Sequence, residues 1–190
     1  MRLGIFGGTF NPIHLGHLLL AETARQTLSL DRIVFIPTGM PPHKQVKALP
    51  PGEMRLAMVR LAIRENEAFV ASDIELQRKG PSFSLETVRS LHGQLPTAKL
   101  FLLIGGDMLT VRWMGWSKLK QLCTIVVFER PRARQGWRKT GIKRIVMPQV
   151  DISSSTIRER VRVGKSIRYL VPETVERYIR EHGLYRARSA

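Results

Sequence analysis

Leu3-Gly4-Ile5-Phe6-Gly7-Gly8-Thr9-Phe10-Asn11-Pro12-Ile13-His14-Leu15-Gly16-His17 joins a short apolar run to paired glycines and then to the start of an amphipathic stretch. Leu3 to Phe6 has strand length, and Leu18, Ala21, Ala24 and Leu28 fall on one face of a helix that opens near Leu15. Strand, glycine turn and helix in that order predict the first unit of an open α/β sheet, with Thr9 to His14 as a loop at the strand's carboxyl edge. Gly7 and Gly8 let backbone N–H groups reach an anion with no side chain intervening, and the helix start adds donors and a partial positive charge. Neither a Walker A loop nor a GxGxxG fingerprint is present, so the turn belongs to a third type.

Further strand-length apolar runs lie at Ile33 to Ile36, Phe69 to Ile74, Leu100 to Ile104, Ile125 to Phe128 and Ile145 to Met147. Helical patterns separate most of them, as in Met54 to Arg64 with Leu56, Val59 and Ile63 on one face. Ser153 to Val163, opened by serines, and Pro172 to His182, stopped by Gly183, read as C-terminal helices. Thr38 to Gly52, Arg78 to Ser84 and Arg130 to Gly141 read as loops. The expected fold is a single α/β domain over residues 1–190: an open, doubly wound parallel sheet of Rossmann-like type, with ligands outside the strands' carboxyl ends.

The chain has 190 residues and 43% hydrophobic content, enough for a core without disulfide or metal staples. Its one cysteine, Cys123, lies in an apolar run and reads as a buried thiol. The start has no secretory pattern and no run reaches the ~20 apolar residues of a membrane span, so a cytoplasmic protein without a membrane partner is expected. A formal charge of +16 raises nucleic acid as a partner. The cations are nevertheless spread along the chain with no aromatic-interleaved RNA motif, so nucleic acid is not the expected partner.

His14 and His17 are three residues apart with Gly16 between them, which places both imidazoles on one side of the first helical turn. Nucleotidyl transfer builds charge on the α-phosphate oxygens and the departing pyrophosphate, and two imidazole donors stabilise that charge without acting as nucleophiles. An isolated pair of this kind equally serves as cap and packing. Its place inside a glycine turn favours catalysis.

Gly7 to His17 resembles the G-x-F-x-P-x-H-x-G-H signature of the HIGH-type nucleotidyltransferases, and within that superfamily the chain is most similar to the bacterial nicotinate mononucleotide adenylyltransferases. The resemblance implies that Gly7, Gly8, Thr9, Phe10 and His17 face ATP and Asn11 faces the mononucleotide. Ile36-Pro37 with Pro41-Pro42-His43-Lys44 resembles the family's I-P-x-x-x-P-P-H-K, which gives Lys44 to the phosphates. Pro81 to Val88 resembles its S-Y-T-x-x-T-L stretch, with Phe83 for Tyr and Ser84 for Thr, and gives Ser84 and Thr87 to the nicotinate end. Ile104-Gly105-Gly106-Asp107 resembles I-G-x-D, with Gly105 and Asp107 toward ATP, and Trp113 and Trp116 match W-x-x-W, one of which stacks on the pyridine ring. Ile152 to Arg158 resembles I-S-S-S-x-I-R, a helix start whose Ser154, Ser155 and Arg158 hold the triphosphate.

The reaction so implied is in-line attack of the nicotinate mononucleotide phosphate on the α-phosphorus of ATP, giving nicotinate adenine dinucleotide and pyrophosphate. The attacking phosphate is already anionic, so His14, His17, Lys44, Arg158 and Mg²⁺ act by positioning and charge neutralisation. No dense carboxylate cage is visible in the sequence, and Mg²⁺ is expected to be held by ATP phosphates and water. ATP and nicotinate mononucleotide are the expected partners, and a homo-oligomer is left open. The rivals are transfer to nicotinamide mononucleotide or phosphopantetheine, and a nucleic-acid-binding module that keeps the fold as scaffold.

Overall fold

The computed structural model describes residues 1–41, 49–106, 108, 113–129, 141–146 and 150–187. Six strands, β1 (Arg2–Gly8), β2 (Arg32–Pro37), β3 (Phe69–Ala71), β4 (Lys99–Gly105), β5 (Thr124–Glu129) and β6 (Ile142–Val146), form one sheet in the order β3-β2-β1-β4-β5-β6. Every neighbouring pair is parallel. The helices are α1 (Leu15–Thr27), α2 (Gly52–Ile63), α3 (Ser84–Gln94), α4 (Trp116–Leu122), α5 (Ser154–Arg162) and α6 (Glu173–Glu181). The doubly wound architecture expected from the sequence is borne out, including the two helices after the last strand. No described helix is long and apolar enough to cross a membrane.

Strand side chains alternate between two separate cores, as a sheet buried on both faces requires. Phe6, Ile33, Phe35, Phe101, Leu103, Val126 and Phe128 pack with Ala21 and Ala24 of α1, Met58 and Val59 of α2, Ile157 of α5 and Val175 of α6. Leu3, Ile5, Val34, Ile36, Leu102, Ile104, Ile125 and Val127 turn the other way, against Leu85, Val88 and Leu91 of α3 and Leu119 of α4. Each fully buried Leu or Ile contributes roughly 1.5–3 kcal/mol, so this two-sided packing is what holds the central strands.

Two strand boundaries and one helix differ from the sequence reading. β3 ends at Ala71 rather than Ile74, because the Asp73 carbonyl accepts the N–H groups of Leu76 (2.7 Å) and Gln77 (3.0 Å) and closes a turn. β6 begins at Ile142 rather than Ile145; Lys143 and Arg144 sit exposed on an edge strand, where charge is tolerated. Met147 lies outside the described residues. α4 has no counterpart in the sequence reading: Gly115 at φ 67 turns the chain into it, and any Cβ there would meet the Leu85 side chain.

The sheet opens where the site is needed. β1 pairs with β2 as far as Gly8 opposite Pro37, whereas its pairing with β4 stops at Ile5 opposite Leu102. Beyond that point β1 and β4 part, at the place where strand order reverses and where open α/β sheets take their ligands.

After β2, the Gly39 and Met40 N–H groups donate to Ser82 Oγ at 3.1 and 3.3 Å. A Cβ on Gly39 would lie 2.5 Å from the Glu75 carbonyl oxygen, a backbone atom that cannot swing aside. Gly39→Ala is therefore expected to cost about 1–3 kcal/mol through overpacking. At roughly 2–4 °C per kcal/mol for a chain of this size, calorimetry should register the loss as a lower Tm. An unchanged Tm would mean that residue 39 is not held against Glu75.

Candidate active site

His14 takes the N-cap position of α1 with extended backbone (φ −147, ψ 170), and its N–H donates to Nδ1 of His17 at 3.2 Å. The imidazoles stack with centroids 3.6 Å apart and planes 25° from parallel. Since His17 Nδ1 accepts, the neutral ring carries its proton on Nε2, which remains a donor. Phe10 lies edge-on to His17 at 5.2 Å. The missing Cβ of Gly16 makes room for His14, because a Cβ there would lie 3.1 Å from His14 Nδ1 and 3.2 Å from Cε1.

Burial lowers the His14 pKa to about 4. Burial, and secondarily His14 itself, also holds His17 well below the ordinary imidazole value. Both rings are therefore neutral near pH 7. His14 Nδ1 is buried with no described partner. The Leu15 N–H is taken by the Leu170 carbonyl at 3.0 Å and the His17 N–H by His14 at 2.9 Å, so helix α1 offers fewer free donors than its start suggested.

Three side chains hold the loop between β1 and α1 by its carbonyl oxygens. Arg55 Nη1 donates to Thr9 at 2.8 Å, Arg158 Nη1 to Asn11 at 2.8 Å, and Ser154 Oγ to Pro12 at 2.9 Å. The Asn11–Pro12 peptide is cis. Asn11 is 3% exposed, and neither its amide nitrogen nor its oxygen finds a described partner. The serines of Ile152 to Arg158 divide their work: Ser153 caps α5 through the Thr156 N–H at 3.1 Å, Ser154 ties down the loop, and Ser155 accepts from Arg158 Nη2 at 3.2 Å. Nothing in the space within 4 Å of Gly7 would obstruct a Cβ, so the strand end stands open as the glycine turn implied.

Ser84 is the first residue of α3, and Phe83 holds the cap position without a side-chain bond, so neither Ser82 nor Ser84 caps that helix. Thr87 is 2% exposed; its hydroxyl donates to Glu75 Oε1 at 2.7 Å and accepts from Arg78. Glu75 is itself buried, and burial raises its pKa. Trp113 and Trp116 lie with centroids 5.5 Å apart, and the Trp113 indole N–H donates to the Met108 carbonyl at 2.7 Å. Gly115 packs against Leu85, so the tryptophan pair is held beside the start of α3. Gly105 ends β4 across the crevice from β1. Lys44 and Asp107 lie outside the described residues.

Arg55 and Glu75 were not among the residues singled out from sequence. Arg55 sits on an otherwise apolar helix face and Glu75 in a short turn, and single charged residues in such places read as surface. Cys123 is buried as expected, its pKa pushed up to about 12 by burial.

Residues 5–160 match the family described as cytidylyltransferase-like, so the chain belongs to that class. Proteins named "Probable nicotinate-nucleotide adenylyltransferase" are 46% identical in Shouchella clausii, over 97% of this chain and 96% of that protein, and 42% identical in Thermus thermophilus, over 98% and 100%. A Plasmodium falciparum nicotinic acid mononucleotide adenylyltransferase complexed with NaAD shares the fold at TM-score 0.81 and 17% identity, over 97% of each chain. The chain belongs to the nicotinate-nucleotide adenylyltransferase family.

The depressed imidazoles have a consequence for stability. A histidine whose folded pKa lies below its unfolded value leaves the native state with fewer protons, so stability is full above pH 6.5 and falls as the pH is lowered toward 4. For His14 the full loss is worth about 3 kcal/mol. Glu75, raised by burial, acts in the opposite sense. Comparing wild type with His14→Gln isolates the first effect. Urea unfolding at pH 7.5 and 4.5 should show the wild type losing about 2–3 kcal/mol more than the variant. Parallel losses would mean that His14 is not buried as a neutral ring.

Proposed function

We propose that the chain, acting as one nucleotidyl-transfer domain over residues 1–190 in the cytoplasm, transfers the adenylyl group of ATP to nicotinate mononucleotide and releases pyrophosphate. The product, nicotinate adenine dinucleotide, belongs to NAD biosynthesis. The observation that carries this reading is the stacked, neutral His14–His17 pair at the point where β1 and β4 part. It is supported by relatives that match the chain over nearly its whole length.

In the proposed reaction a phosphate oxygen of the mononucleotide forms a bond to the α-phosphorus of ATP while the α–β bridging bond breaks. The electron pair leaves with pyrophosphate, and no proton need be removed from the attacking anion. His17 Nε2–H and His14 donate to the phosphate oxygens as charge develops, with low reorganisation because both rings are already held. Arg158, beyond its bonds to Asn11 and Ser155, adds positive charge beside the triphosphate, with Ser154 and Ser155 at the α5 start. Gly7, Gly8, Thr9, Phe10, Gly105 and Asp107 are proposed to line the ATP side, and Lys44 to approach the phosphates. On the mononucleotide side we place Asn11, whose unpartnered buried amide suits a ligand's polar groups, together with Ser84 and one of Trp113 and Trp116. Thr87 is proposed to act through Glu75 and Arg78 rather than by touching the pyridine.

Among the described residues no three His, Cys, Asp or Glu side chains are grouped to hold a metal, and imidazoles are poor ligands for a hard cation. Mg²⁺ is proposed to enter as the magnesium complex of ATP, held by phosphate oxygens and water.

Pyrophosphate release with ATP and Mg²⁺ tests the reading directly, comparing nicotinate mononucleotide, nicotinamide mononucleotide and phosphopantetheine. Highest kcat/KM with the nicotinate compound is expected; preference for another acceptor would reassign the substrate, and release with none would sink the proposal. His17→Ala should lower kcat by about 10² or more in a folded protein, since one lost transition-state donor costs ~2.7–4 kcal/mol. Trp113→Ala and Trp116→Ala should differ in their effect on the mononucleotide KM. Equal and small effects would refute stacking at either position.

A further inference from the structure

Arg55 lies in the first turn of α2, where a sequence of this kind exposes its cations, yet it is 1% exposed. Its guanidinium makes two hydrogen bonds, both to backbone carbonyls in different segments: Nη1 to Thr9 at 2.8 Å and Nε to Pro50 at 3.1 Å. No described carboxylate hydrogen-bonds to it, and burial lowers its pKa from the ordinary guanidinium value. Burying a cation without an anionic partner is costly, and a fold keeps one where its geometry or its charge is used.

Both are in demand at this place. Thr9 belongs to the loop that carries His14 and His17, and Pro50 lies at the entrance to α2. A peptide's C=O and N–H point in opposite directions, so holding the Thr9 carbonyl against α2 turns the Phe10 N–H away from that helix. The Phe10 N–H has no described partner, and Phe10 itself is held at φ 45, a conformation that its ring does not favour unaided. On the other side of the loop Arg158 does the same for Asn11. Tyr185, whose buried hydroxyl has no described partner, interacts electrostatically with both Arg158 and Arg55.

We infer that Arg55 is a positioning residue for the nucleotide-phosphate loop, setting the Thr9–Phe10 peptide to receive the triphosphate and adding buried positive charge behind it. The inference rests on the adenylyl-transfer reading of the site. A planar fork is required, because one group must reach two carbonyls at once, and a lysine ammonium supplies the charge but not the bridge.

The test compares wild type with Arg55→Lys and Arg55→Met by steady-state kinetics of pyrophosphate release, with circular dichroism fixing the folded fraction at the assay temperature. Arg55→Met should lower kcat by about 10²-fold, the scale of a 1 Å misplacement, and raise the ATP KM by about fivefold or more. Arg55→Lys should recover part of both. A loss of folded protein alone lowers kcat and leaves both KM values unchanged, so that result would overturn the assignment. Folded variants with kcat and ATP KM within about twofold of wild type would overturn it equally, as would failure of both variants to fold. Should only the methionine variant fail to fold, the lysine variant decides by the same criteria. A wild-type protein that releases no pyrophosphate with any mononucleotide would instead remove the proposed function.

Discussion

The carbonyl oxygens of Thr9, Asn11 and Pro12 are each hydrogen-bonded to a side chain from a helix distant in sequence. That constraint governs the site. A loop without internal hydrogen bonds samples many conformations, and ordering each residue costs about 1–2 kcal/mol. Arg55 of α2 and Arg158 and Ser154 of α5 order it from both sides, and the packing of those helices on one face of the sheet fixes where the three donors stand. Ile157, one residue from Arg158, is fully buried in that core. The position of the Thr9–Phe10 peptide is thus determined by hydrophobic contacts well away from it.

The same constraint explains how two histidines can be kept neutral and aligned. His14 fits into the space left by the absent side chain of Gly16, while His17 is held by the His14 N–H. Desolvation keeps both uncharged, which suits hydrogen-bond donation to a developing negative charge. A protonated pair stacked at 3.6 Å would repel. Burial therefore does two jobs here: it removes the pair's mutual repulsion and strengthens the donors once water is displaced.

The parts of this arrangement that were legible in the sequence are those written in local pattern. Leu3 to Phe6, the glycines after it and the helix face of Leu18, Ala21, Ala24 and Leu28 gave the first unit, and the repeated apolar runs gave the winding. Ser153 was legible as a cap because N-capping is a local event. Arg55 was not, since a cation on a helix reads as solvated, and only the distant Thr9 and Pro50 carbonyls make its burial tolerable. β6 was misplaced at its start because Lys143 and Arg144 break the apolar pattern that edge strands do not need. The close packing of Gly115 on Leu85 and of Gly39 on the Glu75 backbone is likewise a tertiary fact with no signature in either segment alone.

The loop after β1 keeps an unpartnered buried amide in Asn11; the start of α3 is built differently. There the polar groups are satisfied within the protein: Ser82 accepts from Gly39 and Met40, Thr87 donates to Glu75, and the Trp113 indole donates to Met108. The hydroxyls of Ser82 and Thr87 and the Trp113 indole N–H are thus already committed within the protein. The Glu75–Thr87 pair carries the cost of a buried carboxyl, shown by its raised pKa, and that cost is offset by fixing the start of α3 against the segment after β2.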